Sequence, residues 1–248
     1  MQLETLSQTY IKQGYLKLGT NLIEGLLPEI TTACEEVYEQ ARFSESLQVE
    51  KYSDGLPKII FGPHLINPRI SELCLMQQFA FVSSICLYPK DLYLYQTKLT
   101  NSSPKQPKSG FPWHQDYHNW RVRDGVPTGQ MINIVAFIDD VKIEDGPIEV
   151  FPSSHSRGYR ASDGPRLPTQ QLIDLNFPPI PITGKRGTLL LMHPCLVHGS
   201  RAKSSNRRRL LLFVTFNTSS NAPNMSSQQY YSESRRLRFS HIQQTNPI

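Results

Sequence analysis

Apolar residues recur at helical spacing through about the first 90 positions and at strand-like spacing after them. In "ETLSQTYIKQGY" they fall on one helical face and Gly14 can end the helix; "YLKLG" then alternates like a short strand, and "NLIEGLLPEITTACEEVYEQARF" resumes the helical period. Residues 44–60 are polar and read as a loop, and "PRISELCLMQQFAFVSSICL" predicts a second helical region packed by its apolar face. From about Asp91 the texture changes. "LYLYQTKLT", "INIVAFIDDV", "IEVFP", "GTLLLMHP" and "LLLFVTFN" are strand candidates bounded by "NSSPKQPKSG", "EDG", "SDGP" and "SRAKSSN". Helices first and strands later predict an α+β fold, mainly β, in which a jelly roll or barrel is supported on one face by N-terminal helices. The predicted organisation is one domain over residues 1–248, with a helical part over about 1–90, a β core over about 91–220 and a polar tail over 221–248.

Composition narrows this picture. A chain of 248 residues suits one all-β or barrel domain, and 38% hydrophobic residues exclude general disorder. The 19 prolines and 14 glycines favour turns over long helices. The net charge of +5 is partly local, in Arg207–Arg209 and in Arg235, Arg236 and Arg238. With no aromatic-interleaved basic stripe beside them, these runs read as solvated faces rather than a nucleic-acid surface. Cys34, Cys74, Cys86 and Cys195 are scattered and read as reduced thiols. The opening residues lack a basic-then-apolar leader and no stretch approaches a membrane span, so the expected location is the cytoplasm, with no membrane partner.

Candidate chemistry centres on "FPWHQDYHNW", residues 111–120. On a strand, alternation puts His114 and Asp116 on one face, where both can reach one ion. Of the other histidines, His198 stands out because it follows the apolar run "GTLLLMHPCLV" and precedes "LLLFVTFN". Two histidines and one carboxylate form the facial set that holds non-haem Fe(II) and leaves three positions open, whereas zinc chemistry needs one. Arg209 lies 209 − 198 = 11 residues after His198, and its planar fork suits a distal carboxylate. Arg207 shares its face by alternation and is a rival for that role; the spacing favours Arg209. His193 alternates away from His198 and reads as structural, and His155 as a turn anchor. His118 stays unassigned.

These motifs resemble the phytanoyl-CoA dioxygenase family of Fe(II)/2-oxoglutarate oxygenases, whose pattern is H-x-D, a distant H and an arginine eleven residues on. The likeness covers most of the chain: "YIKQGYLKLGTNL", "DGPIEVFPSSHSRG" and "HGSRAKSSNRRRLLLFVTFN" are similar to its opening, middle and distal segments. Gln96-Thr97-Lys98, Trp113 to Trp120, and Asp124 to Pro127 are similar to the family's small-molecule hydroxylase branch, which includes ectoine hydroxylase and leucine 5-hydroxylases. The departures are Thr100 where that branch often has Asn, and Ser153 where glycine is usual.

The resemblance implies a double-stranded β-helix, iron ligands His114, Asp116 and His198, and Arg209, Ser200 and Gln96 around 2-oxoglutarate. Lys98, Tyr117 and Trp120 then face the substrate. It also implies O2 as co-reactant and hydroxylation of an unactivated C–H bond in a small molecule, with a free amino acid such as leucine in natural-product biosynthesis as the expected substrate. Asp116 separates the chain from related halogenases, in which a small residue replaces the carboxylate. The alternatives are an acyl-CoA or carrier-bound substrate, a nucleic-acid demethylase, or a non-catalytic cupin-like binding protein. Oligomeric state is not legible.

Overall fold

The computed structural model describes residues 3–43, 45, 48–87, 92–102, 110–157, 172 and 175–223. The tail expected over 221–248, from 224 on, and the Arg235, Arg236 and Arg238 cluster lie outside the described residues.

The chain opens with α1 (Leu3–Gln13), β1 (Tyr15–Leu18), two short 3-10 turns and α2 (Leu27–Phe43). In α2, Ile30, Ala33, Cys34, Val37, Tyr38 and Ala41 are buried, the i, i+3, i+4, i+7 stripe that makes an amphipathic helix. Gly14 ends α1 with φ +76°, and a Cβ there would sit 2.3 Å from His155 Nδ1. The 44–60 segment, expected as a loop, instead holds β2 (Val49–Lys51) and β3 (Pro57–Phe61), an antiparallel hairpin. Its turn signal is Asp54-Gly55, with Gly55 at φ +81°. Three short helices follow, α3 (Pro63–Ile66), α4 (Pro68–Cys74) and α5 (Gln77–Ser84). The single helical region expected over 68–87 is thus two helices; α4 begins at a Pro after the Asn67 cap, whose side chain accepts from Arg69 N.

The remaining elements are β4 (Leu92–Ser102), β5 (Phe111–His114), α6 (Asp116–Asp124), β6 (Met131–Phe137), β7 (Ile148–Val150), β8 (Ile180–Ile182), β9 (Leu189–Met192), β10 (His198–Ser200) and β11 (Arg209–Thr218). They form two antiparallel sheets, one in the order β1-β9-β6-β11-β4-β3-β2 and one in the order β5-β10-β7-β8. This is the expected jelly roll, mainly β with N-terminal helices against one face. No helix among the described residues is long and apolar enough to cross a membrane.

The large sheet is buried on both faces, so its strands read as unbroken apolar runs. On one face, Leu210, Leu212, Val214 and Phe216 of β11 pack with Ile132, Ile134 and Ala136 of β6 against the helices. On the other, Leu211 and Phe213 join Val135, Phe137, Leu190 and Met192 in a second cluster facing β7 and β8. The chemistry lies on that inner face. Ser153, the residue standing where the family usually has glycine, takes the left-handed conformation at φ +62°. Its N–H donates to Gln13 O at 2.7 Å and its hydroxyl to Lys12 O at 2.8 Å, contacts that offset the strain.

His64 ties α3 to β4 through Nδ1 and the Thr97 hydroxyl, 2.6 Å apart. Burial pushes its pKa down to about 4, and His193 and His198 are also pushed down to about 4. Between the unfolded value of about 6.5 and the folded 4, the unfolded chain binds more protons, so stability falls as pH drops through that window. Each such group adds a slope of up to about 1.4 kcal/mol per pH unit. Urea midpoints measured from pH 7 to pH 4 should fall, and His64→Gln should make the fall shallower; an unchanged slope refutes the assignment.

Candidate metal centre

β5 and β10 pair with His114 directly opposite His198. His114 Nδ1 lies 2.8 Å from the Pro112 carbonyl oxygen, and His198 Nδ1 lies 3.0 Å from that of Leu196. A carbonyl only accepts, so each ring carries its proton on Nδ1 and turns the Nε2 lone pair inward. The two rings stand 4.2 Å apart, centroid to centroid. Close backbone packing holds the strands in this relation: a Cβ on Gly110 would meet Ser200 O at 2.4 Å, and one on Gly199 would meet Phe111 O at 3.0 Å.

Asp116 does not continue β5, contrary to the strand alternation expected for His114 and Asp116. Gln115 turns the chain, donating through Nε2 to Cys195 O at 2.6 Å, and Tyr117 N donates to Pro194 O at 3.1 Å. Asp116 is the first residue of α6. The two polar residues still converge, because the turn brings the carboxylate back over the sheet. Asp116 Oδ1 is 3.6 Å from His114 Nε2, and Oδ2 is 3.6 Å from His198 Nε2. Ligand atoms from all three residues fall within 4.8 Å of one another, the one such group of His, Cys, Asp and Glu among the described residues.

Electrostatics favours a cation at this point. Burial alone raises the Asp116 pKa, but Lys98, His198 and His114 outweigh it and hold the carboxyl well below the usual range. His198 is pushed down to about 4 by burial and by His114, so it is neutral at pH 7. Two imidazole lone pairs and one ionised carboxylate suit a borderline divalent metal such as Fe(II).

The triad opens into a cavity lined also by Lys98, Arg209, Phe111, Ile148, Leu211 and Phe213. Arg209 opens β11 and is 3% exposed. Its Nη1 donates to the Gly146 carbonyl, while Nε is buried with no partner among the described residues. Burial pushes its pKa down to about 10, so it stays charged at neutral pH. A buried charged donor left unpaired is costly unless an anion completes it. Arg207 stands elsewhere: it precedes β11, so alternation does not carry it inward, and its Nη2 is 2.5 Å from Asp145 Oδ2. Arg208 turns to Asp139, 2.9 Å away, and Glu35.

Ser200 lines the cavity, its hydroxyl accepting from Phe111 N at 3.0 Å. Lys98 Nζ is 3.6 Å from Asp116 Oδ1 and 5.0 Å from the Phe213 ring centre. Gln96, Tyr117 and Trp120 are placed differently from the expectation that they face cosubstrate or substrate. None is among the described residues lining the cavity. Trp120 donates from Nε1 to Gln96 Oε1 at 3.1 Å, and Tyr117 donates from its hydroxyl to Pro127 O at 2.7 Å. Both rings pack with Tyr93, Tyr95 and Met131. Trp120 lies one turn beyond Asp116 on α6, and its ring packs into that cluster instead of the cavity wall.

His155 anchors its turn through Nε2, 2.9 Å from Ile11 O, and His193 Nδ1 accepts from Cys195 N at 3.0 Å. His118 lies buried on α6, off the cavity. Of the cavity residues not singled out in sequence, Leu211 and Phe213 stand at even spacing from Arg209, so a period of two carried through β11 locates them, whereas Ile59, Ile148 and Gly199 come from other strands. Asn133 also went unread; it donates to Asp116 Oδ2 at 2.5 Å.

The L-proline trans-4-hydroxylase of Streptomyces griseoviridis is 31% identical to this chain over 153 residues, covering 53% of this chain and 57% of that protein. The ectoine dioxygenase of Sphingopyxis alaskensis is 27% identical over 196 residues, covering 72% of this chain and 63% of that protein. This chain therefore spans less than two thirds of the length of either relative. The crystal structure of EctD from S. alaskensis with 2-oxoglutarate and 5-hydroxyectoine shares the fold, with a TM-score of 0.80 at 23% identity over 89% of this chain and 77% of that one. The model of the Phytanoyl-CoA dioxygenase (PhyH) family matches residues 12–210, most of the chain and every element that builds the metal centre except the body of β11, and by that match the chain belongs to the phytanoyl-CoA dioxygenase family.

Proposed function

We propose that this chain is an Fe(II)- and 2-oxoglutarate-dependent hydroxylase of an unactivated C–H bond in a small molecule. The substrate we infer is a free amino acid such as leucine, hydroxylated in the cytoplasm for natural-product biosynthesis. The observation that carries the reading is Arg209, buried, with no partner for its Nε among the described residues, in the lining of the cavity that holds the His114–Asp116–His198 triad. A metal-binding set alone fits many chemistries; a metal-binding set with a buried carboxylate receptor beside it fits a 2-oxo diacid. The free-amino-acid inference draws on the likeness to an L-proline hydroxylase.

When bound, iron, 2-oxoglutarate and O2 supply the oxidation, in which the 2-oxo acid leaves as succinate and CO2 while one oxygen atom enters the C–H bond. His114, Asp116 and His198 hold the metal on one side and leave the cavity side open. Arg209 takes the distal carboxylate of 2-oxoglutarate, with Ser200 beside it. Lys98 takes the substrate carboxylate, its ammonium 5.0 Å from the Phe213 ring centre. Phe111, Ile148 and Leu211 exclude water and accept an aliphatic side chain. Gln96, Tyr117 and Trp120 act from behind the wall, holding α6 in place. Four free cysteines, three of them buried, accord with a reducing compartment.

Anaerobic addition of Fe(II) and 2-oxoglutarate should produce a visible iron-to-keto-acid charge-transfer band, and Asp116→Ala should abolish it with the fold retained. No band in the unaltered protein sinks the reading at its first step. Truncating Arg209 to Met leaves the cosubstrate carboxylate unpaired in a dry site, and the 2-oxoglutarate requirement should rise about 100-fold; an unchanged requirement removes Arg209 from this role. A panel of free amino acids assayed for substrate-dependent succinate tests the substrate class. Lys98→Met should raise KM for the accepted amino acid far more than KM for 2-oxoglutarate. Turnover only with acyl-CoA or carrier-bound substrates would replace the amino-acid assignment.

A further inference from the structure

A row of three side chains crosses the inner face of the large sheet beneath α6. Gln96 on β4 stands opposite Thr215 on β11, and Thr215 stands opposite Asn133 on β6. All three are buried, at 3%, 0% and 1% exposure, where a polar side chain must be satisfied by its neighbours. The Thr215 hydroxyl is 2.5 Å from Asn133 Oδ1, and Asn133 Nδ2 is 2.5 Å from Asp116 Oδ2. At the other end, Gln96 Oε1 accepts from Trp120 Nε1 at 3.1 Å. Asp116 and Trp120 are four residues apart on α6 and share a helix face, so the row meets the helix at two points one turn apart.

The polarity of the row follows from chemistry. An ionised carboxylate only accepts, so Asn133 must present its NH2 end to Asp116. The two ends of an amide are nearly alike in shape, and what keeps them from exchanging is the Thr215 O–H, a donor aimed at the carbonyl end. β11 also changes register immediately after Thr215, between Thr215 and Phe216, a bulge that re-aims the strand beside the site. With Oδ2 engaged by Asn133, Oδ1 is the oxygen Asp116 would offer a metal, and without Asn133 the carboxylate would be free to rotate.

We propose that the row Gln96–Thr215–Asn133 is the positioning device for the metal carboxylate, with Asn133 acting on Asp116 directly, Thr215 through Asn133, and Gln96 through the helix. This inference rests on the metal reading of the triad. None of the three is among the described residues lining the cavity, so they are positioning residues, and their removal should change how the site holds a metal.

Thr215→Val keeps the shape and loses the donor; Thr215→Ser keeps the donor. Co(II), a spectroscopic stand-in for Fe(II), is titrated into each variant while its visible d–d bands report affinity and coordination, and thermal melting of the metal-free proteins reports the fold. Thr215→Val should bind Co(II) about 10–100-fold more weakly than the unaltered protein with a shifted band pattern, and Thr215→Ser should bind it as the unaltered protein does. Asn133→Ala, which frees Oδ2 outright, should show at least the same loss, and it decides the matter if Thr215→Val fails to fold. Unaltered affinity and spectrum in the folded variants overturn the proposal. Failure of the unaltered protein to bind Co(II) fails the metal reading itself, a distinguishable result.

Discussion

An ionised carboxylate buried in the middle of a jelly roll sets the terms for everything near it. Asp116 is 4% exposed, and its charge is tolerable there only if it is surrounded by donors and cations. The fold supplies these from β4 and β6: Lys98 Nζ lies 3.6 Å from Oδ1, and Asn133 donates to Oδ2. His198, pushed down by burial, and His114 bring their Nε2 atoms to 3.6 Å from the two oxygens of this carboxylate, so the three side chains converge on one point where they can hold a cation.

That arrangement depends on the large sheet presenting two different faces. Along β11, Leu210, Leu212, Val214 and Phe216 turn toward the helices, while Arg209, Leu211, Phe213 and Thr215 turn toward the small sheet. One strand thereby carries a buried arginine at its start, apolar cavity wall in its middle and the donor to Asn133 near its end. The helices bury the outer face so that the inner face can hold polar groups. A slip of one residue in the pairing of β11 would exchange the two sets.

The distribution of chemistry was more legible in the sequence than the shape of the path between its parts. His114, Asp116, His198 and Arg209 are separated by up to 95 positions yet line one cavity, and residue type with spacing was enough to select them. Local conformation was harder. Asp116 was expected on a strand and opens a helix, because Gln115 spends its side chain on the Cys195 carbonyl and turns the chain, a tertiary contact that no local pattern records. Tyr117 and Trp120, which the resemblance placed at the substrate, pack instead with Tyr93, Tyr95 and Met131. The β2–β3 hairpin hid in a polar segment because β2, at the edge of the sheet, exposes Glu50 and Lys51 and so lacks the apolar alternation that marks a half-buried strand. Asn133 and Thr215 sit singly in apolar runs, and only the register of β6 against β11 brings them together.

The charges lining the cavity also constrain what enters it. Among the described lining residues, Asp116 is the one acidic group, and Lys98 and Arg209 are the cations. One negative and two positive charges leave the empty cavity with a surplus of one positive charge. A divalent metal raises the surplus to three, and a doubly charged 2-oxo diacid returns it to one. A low-dielectric cavity disfavours a residual charge, so the next molecule to enter is favoured if it brings one negative group. If Arg209 faces the diacid, as proposed, the remaining cation is Lys98, beside Asp116 and over the Phe213 ring. A compound with a single carboxylate and an aliphatic remainder satisfies both the charge and the apolar wall, whereas a neutral apolar compound satisfies only the wall.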